Sequence, residues 1–292
     1  MSSRGAGLAV ASVALALTAT GCTSTAGSDA STAAASSRAA FAGEALPAAE
    51  YLPGLEAVLR VPATAGPTPL VVLVPGGGWQ SADPTGLVPL AARLTSWGAV
   101  TSTITYSTTS TGATFPTPAD DVACAVRWSA AQAAANGHPP SEIVVLGHSA
   151  GGHLASLVAL SDGRFGGTCP SPAVAIDGLV GLAGVYSVRT AADALEPLFA
   201  SAPDQDPDTW ADGDPTWWAQ QPGAATRPRV LLVHGSADDV VPMSQTTGFE
   251  RVLRDSGTDV TVEVVPDATH ATIYEADVVG GRIEQWLGTL RP

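Results

Sequence analysis

Charge is scarce in this 292-residue chain: only 14% of its residues are Asp, Glu, Lys or Arg. Against 27 acids stand 13 Lys and Arg, for a formal net charge of -14. The shortage of bases argues against binding to nucleic acid or to an anionic membrane surface, because both present phosphates to a chain that repels them. Cysteine is rare as well, with three in all, and neither Cys nor His recurs at close intervals. Metal-ligand spacing is therefore missing, and no metal or other cofactor is expected. Long hydrophobic runs and internal repeats are also absent. The apolar run near the start, Leu8 to Leu17, is too short to span a bilayer.

That run has a different meaning. Arg4 precedes it as a short positive region, and Ala19-Thr20-Gly21-Cys22 closes it. This resembles the lipobox of bacterial lipoproteins, in which the Cys carries the lipid and becomes the new N-terminus. Ala19 departs from the Leu usual at the first position. The expected organisation is a lipoprotein-type signal peptide over 1–21, a flexible spacer over 22–43 rich in Ser, Thr and Ala, and one folded domain over 44–292. Export with Cys22 as a membrane anchor is the leading expectation. An ordinary secretory peptide and a cytoplasmic protein with an Ala-rich tail are the alternatives. Without Cys22, Cys124 and Cys169 remain as an even pair, expected as a disulfide in an oxidising compartment or else as two buried thiols. Nothing in the sequence fixes the oligomeric state.

Beyond the spacer, short apolar runs alternate with longer amphipathic ones, the pattern of strands feeding crossover helices in a mostly parallel sheet. Strands are expected at Leu55 to Val61, Leu70 to Val74, Ala99 to Tyr106, Ile143 to Leu146, Ile176 to Leu182, Val230 to Val233 and Val260 to Val265. Helices are expected over Pro84 to Trp97, from Thr117-Pro118 through Trp128 towards Asn136-Gly137, from Gly147 through Leu160, and over about Thr272 to Leu287. The stretch Thr190 to Arg227 breaks the alternation with Asp, Pro, Gln and three Trp: Trp210, Trp217 and Trp218. It reads as an insertion, either a cap whose aromatics line a pocket or a long loop anchored on the core.

The chemistry concentrates in Gly147-His148-Ser149-Ala150-Gly151, placed between a buried strand and a helix. A serine there sits on a strained elbow at the top of the sheet, beside the free N–H groups of a helix start. A hydroxyl needs a base, and the base an orienting acid, in the chain order Ser, acid, His. Asp238 leads as the acid, with Asp239 second, in the segment His234 to Pro242 that follows the strand Val230 to Val233. His270 follows the last strand and is the only one of five histidines at the station of the base. His153 and His234 read as satisfied buried polar groups, His138 as a loop residue, and His148 as a residue that shapes the site. The glycine run Pro75-Gly76-Gly77-Gly78-Trp79 follows a strand and can offer an oxyanion the amides of Gly77 and Gly78, joined by that of Ala150. Such donors are each worth about 3–4 kcal/mol at a transition state. A phosphate-binding loop would need a Lys and Ser/Thr ending that this run lacks. Trp79, His148, Trp217 and Trp218 are the candidates for the substrate pocket.

These segments, with Gly152-His153-Leu154 and His234-Gly235 through Pro242, resemble the α/β-hydrolase esterases related to hormone-sensitive lipase and the bacterial feruloyl-type esterases. The resemblance covers roughly Leu55 to Leu287. It implies an α/β-hydrolase fold with helices on both faces of the sheet, and cofactor-free hydrolysis of a carboxylic ester through an acyl-enzyme. That family usually places His before the glycines, where this chain has Pro75. The expected substrates are short-chain or carbohydrate-linked esters. An arylformamidase-like amidase, a peptidase lacking the usual propeller, and a non-catalytic surface binding protein of the same fold are the rival readings.

Overall fold

A computed structural model describes residues 43–221 and 227–290. The expected leader over 1–21, Cys22 and the spacer up to residue 42 lie outside the described residues. So do residues 222–226 of the insertion.

The apolar runs form most of the strands of a sheet that has nine strands among the described residues. These are β1 (Glu44–Ala45), β2 (Ala49–Leu52), β3 (Leu55–Val61), β4 (Thr68–Val74), β5 (Val100–Ile104), β6 (Pro140–His148), β7 (Gly178–Leu182), β8 (Arg229–Gly235) and β9 (Val260–Val265). Their order is β1-β3-β5-β4-β6-β7-β8-β9, with β2 also paired to β3. From β5 to β9 every neighbour is parallel, while β1, β2 and β5 all pair with β3 antiparallel. The helices are α1 (Val88–Trp97), α2 (Thr117–Ala135), α3 (Ala150–Leu160), α4 (Ala192–Phe199), α5 (Pro207–Asp212), α6 (Pro215–Gln220), α7 (Met243–Asp255) and α8 (Ala276–Leu290).

Alternation along the strands divides the core. In β4, Leu70, Val72 and Val74 join α2, α3 and α7 on one face, while Val71 and Leu73 join α1 and α8 on the other. All five are wholly buried, as a parallel strand covered on both sides requires. Among the described residues, no helix is long and apolar enough to cross a membrane.

Boundaries differ from expectation where turns intervene. A 3-10 turn, Thr85–Leu87, precedes α1. The segment after His270 forms a turn, with Thr269 N–H donating to Thr272 Oγ1 at 2.9 Å, so the last helix starts at Ala276 rather than Thr272. Helix α7 and strands β1 and β2 were not anticipated. The described part of the insertion folds into three short helices, two of them begun by the same device. Asp206 accepts from Thr209 N–H ahead of Pro207, and Asp214 accepts from Thr216 and Trp217 N–H ahead of Pro215.

Cys124 on α2 and Cys169 in the loop after α3 are joined by a disulfide, with Cα atoms 5.2 Å apart across a separation of 45 residues. Closing a loop of that length removes unfolded-chain entropy equivalent to about 4 kcal/mol in the simplest treatment, and 2–4 kcal/mol is typical. Replacing both cysteines by alanine is expected to lower Tm by about 6–12 °C in a domain of this size, measured by calorimetry. A change under about 2 °C would show that the bridge contributes no net stability.

Candidate active site

Strands β4 and β6 lie side by side, with Val74 opposite Gly147, so the loops leaving their carboxyl ends emerge together. Sheet order turns outward on both sides of β4 at this point, the place where open α/β sheets form a crevice. Ser149 sits between β6 and α3 with φ 54° and ψ −122°, a strained backbone for a residue with a side chain. Its own N–H donates to Leu182 O at 3.0 Å, which fixes the turn on the neighbouring strand. Gly151 lets α3 approach β4 closely. A Cβ there would stand 2.3 Å from Val74 O and 2.5 Å from Pro75 O.

His270, in the loop after β9, donates from Nδ1 to Asp238 Oδ2 at 2.8 Å. A carboxylate can only accept, so Nδ1 carries a proton, which leaves Nε2 as the ring nitrogen that can serve as a base. Asp238 has a side chain only 1% exposed. Its Oδ1 accepts from Val240 and Val241 N–H, both at 2.9 Å. Burial alone would raise its pKa, but the bonds from His270, Val241 and Val240 together outweigh burial and hold it below the usual carboxylate range. Asp239, the second candidate, is exposed and outside this arrangement. His234 is wholly buried, donating to Val241 O at 2.9 Å and accepting from Thr246 Oγ1 at 2.7 Å.

His148 bridges two parts of the site. Its Nε2–H donates to the carbonyl of His270 at 3.0 Å, and its ring packs against both His270 and Tyr274, each at 4.6 Å between centroids. Burial, then the nearby His270, pushes its pKa down to about 4. It therefore stays neutral and braces the loop that holds His270.

The glycine loop is held from several sides. Tyr106 Oη donates to Pro75 O at 2.9 Å, and Gly77 O accepts from Gln80 and Ser81 N–H at 3.0 and 3.1 Å. Gly77 has φ 136°, a backbone that a Cβ would oppose. Among the described residues, the amides of Gly77, Gly78 and Ala150 donate to no acceptor, so they are free to meet a ligand.

These parts surround one cleft of about 490 Å³. Gly76, Gly77, Gly78, His148, Ser149 and His270 line it, together with Pro75, Asp83, Gly86, Leu87, Val240 and Tyr274. The expected tryptophans do not. Trp79 is 5% exposed and its indole turns away to His153. Trp218 donates to Asp212 O and lines a separate cavity of about 210 Å³, and Trp217 is 45% exposed. Trp210 is fully buried, stacked on Phe199 at 4.2 Å. The described part of the insertion is thus anchored on the core and adds nothing to the cleft lining. Trp210 packs on Phe199 and Trp218 on Phe165, and pattern alone does not reveal which side a Trp will pack against. Sequence reasoning missed Asp83, Leu87, Val240 and Tyr274. Tyr274, in the loop that carries His270, and Val240, in the loop that carries Asp238, had a positional hint. Among the described residues, no three His, Cys, Asp or Glu side chains are grouped to hold a metal ion.

Comparison with known proteins finds esterases among the relatives and the fold neighbours. Esterase LipQ of Mycobacterium tuberculosis is 29% identical over 238 residues, which are 76% of this chain and 55% of LipQ. Esterase LipC of the same organism is 30% identical over 219 residues, 70% of this chain and 53% of LipC. The chain thus spans about half the length of the curated relatives it matches. Among solved structures, a truncated carbohydrate esterase from gut microbiota superposes with a TM-score of 0.73 at 18% identity, covering 86% of this chain and 97% of that one. That likeness shows the α/β-hydrolase fold. The BD-FAE family model matches residues 58–253, from β3 through α7 and across the nucleophile elbow. The chain belongs to the BD-FAE family of the α/β-hydrolase esterases.

Proposed function

We propose that this protein is a serine carboxylesterase acting on short-chain or carbohydrate-linked esters. The observation that carries the reading is the coincidence, around one cleft, of Ser149 on a strained elbow, His270 oriented by buried Asp238, and the unbonded amides of Gly77 and Gly78. His270 Nε2 takes the proton of Ser149 as Oγ attacks the ester carbonyl. Asp238 stabilises the imidazolium, and the amides of Gly77, Gly78 and Ala150 receive the oxyanion. The alcohol leaves with the proton from His270. Water, deprotonated by the same imidazole, then releases the acid. That the relatives are ester hydrolases supports the reaction, and that a fold neighbour is a carbohydrate esterase supports a sugar-linked substrate. Export with anchoring at Cys22 completes the proposal, resting on the leader pattern and agreeing with a disulfide-bonded domain.

The cleft also carries a charge preference. Asp83 at its rim has its pKa lowered by hydrogen bonds from the Thr85 hydroxyl and N–H, and among its described lining residues there is no Lys or Arg. On p-nitrophenyl esters from acetate to octanoate, kcat/KM is expected to fall with chain length. The hemisuccinate, which carries a carboxylate, should be turned over about fivefold less efficiently than the butyrate, with the gap narrowing as salt is added. Silence across the esters with turnover of formanilides would replace the esterase reading by the amidase one.

A further inference from the structure

Trp79 and His153 take no part in the steps above, yet both are buried beside the glycine loop and the elbow. Trp79 ends the loop with φ 59°, a left-handed backbone that a bulky side chain occupies only when its surroundings hold it there. Its carbonyl accepts from Thr109 N–H at 2.9 Å and Thr109 Oγ1 at 3.2 Å. Its indole Nε1–H donates to His153 Nδ1 at 3.1 Å, with the two rings edge-to-face at 5.6 Å. Indole nitrogen is a donor only, so His153 Nδ1 must be the acceptor and Nε2 must carry the proton. That Nε2–H donates to the carbonyl of Gly213 at 2.8 Å.

His153 itself is wholly buried in the first turns of α3, whose start is Ala150, a proposed oxyanion donor. Burial pushes its pKa down to about 4, so the neutral tautomer that both bonds require persists at working pH. Gly213 joins α5 to α6 in the insertion, and the next residue, Asp214, is buried and caps α6. One imidazole therefore touches three separate pieces of chain: the glycine loop, the helix behind Ser149, and the insertion. Tyr106 and Thr109 brace the same loop, but neither connects it to α3 or to the insertion.

We infer that His153 is a positioning residue which, through Trp79 and Gly213, fixes the oxyanion amides of the glycine loop relative to the helix that begins at Ala150. This rests on the esterase reading of the cleft. On it, the insertion influences turnover from behind the nucleophile, through the Gly213 carbonyl.

Trp79→Phe keeps an aromatic ring and deletes only the donor, and His153→Leu deletes both bonds at similar volume. Each should lower kcat by about 30-fold with KM within about twofold, because misplaced amides lose transition-state contacts while leaving ground-state binding nearly intact. Rates are referred to active sites titrated with a fluorophosphonate, which removes any contribution from misfolded protein. His153→Gln, whose amide can accept from Trp79 and donate to Gly213, should restore kcat to within about fivefold of wild type. The double variant Trp79→Phe/His153→Leu should be no slower than either single one. Wild-type kcat in Trp79→Phe, or equal losses in His153→Gln and His153→Leu, would overturn the inference. The imidazole 15N shifts of His153 report the link without any substrate. If they show Nδ1 unprotonated and Nε2–H in a protein inactive on every ester, the esterase reading fails while the link stands. A protonated Nδ1 removes the link whatever the activity.

Discussion

Ser149→Ala is expected to lower kcat on p-nitrophenyl acetate by about 10⁵-fold and to leave Tm within about 2 °C of wild type. The size follows from the role. Without Oγ no acyl-enzyme forms, and only binding and the oxyanion donors remain to assist direct attack by water. The small stability change follows from the surroundings. Ser149 accepts no capping bond at the start of α3, and among the described residues its bonds are those of its backbone, N–H to Leu182 O and carbonyl from His153 N–H. Alanine keeps both, and the strained φ of 54° opposes alanine as it opposes serine. A variant that keeps even a tenth of the activity, after active-site titration rules out wild-type contamination, would remove Ser149 from the mechanism.

The second large effect belongs to Asp238→Asn, expected to lower kcat/KM by about 10³- to 10⁴-fold at neutral pH. The amide oxygen can keep the bonds from Val240 and Val241 N–H that Oδ1 accepts now, so the loop survives. The amide nitrogen then faces His270 Nδ1–H in place of Oδ2, donor against donor. Relief comes by moving the imidazole proton to Nε2, the very atom that must accept the proton of Ser149. His234, 3.5 Å from Asp238 Oδ2, already spends its Nε2–H on Val241 O and its Nδ1 lone pair on Thr246, so it does not compensate. Asp239→Asn is the control and should stay within about twofold of wild type. If the two variants lose activity equally, Asp238 is not the orienting acid.

The two acids show where sequence reading ends. The strand-end loop after β8 marked the region, but its choice of Asp238 rested on position alone. What separates it from Asp239 in the structure is a pair of local N–H groups, those of Val240 and Val241, that turn one carboxylate inward. Strands β4, β6 and β8 were legible from their continuous apolar runs and β9 from the alternation of Val with Thr261 and Glu263, and the elbow was legible because Gly147-His148-Ser149-Ala150-Gly151 stands between such a strand and a helix. Strands β1 and β2 are short, mostly exposed edge pieces with no apolar run to announce them. Helix α7 buries Gln245, Thr246, Phe249 and Leu253, a stripe half of polar residues that hydrophobic periodicity passes over. Gln245 earns its burial by accepting from Tyr186 and Ser187 N–H across the fold, a contact no local pattern encodes.

The bond between Cys124 and Cys169 has a topological side apart from its effect on stability. With the backbone between them it closes a covalent ring, and β6, Ser149 and all of α3 lie on that ring. A single cut anywhere on the ring opens it into a branched chain without dividing the molecule. The nucleophile thus stays covalently joined to both flanks of the sheet after a nick that would otherwise release it from one of them. A protease acting on this segment must cut twice, or wait for a reductant, before Ser149 can leave with a fragment.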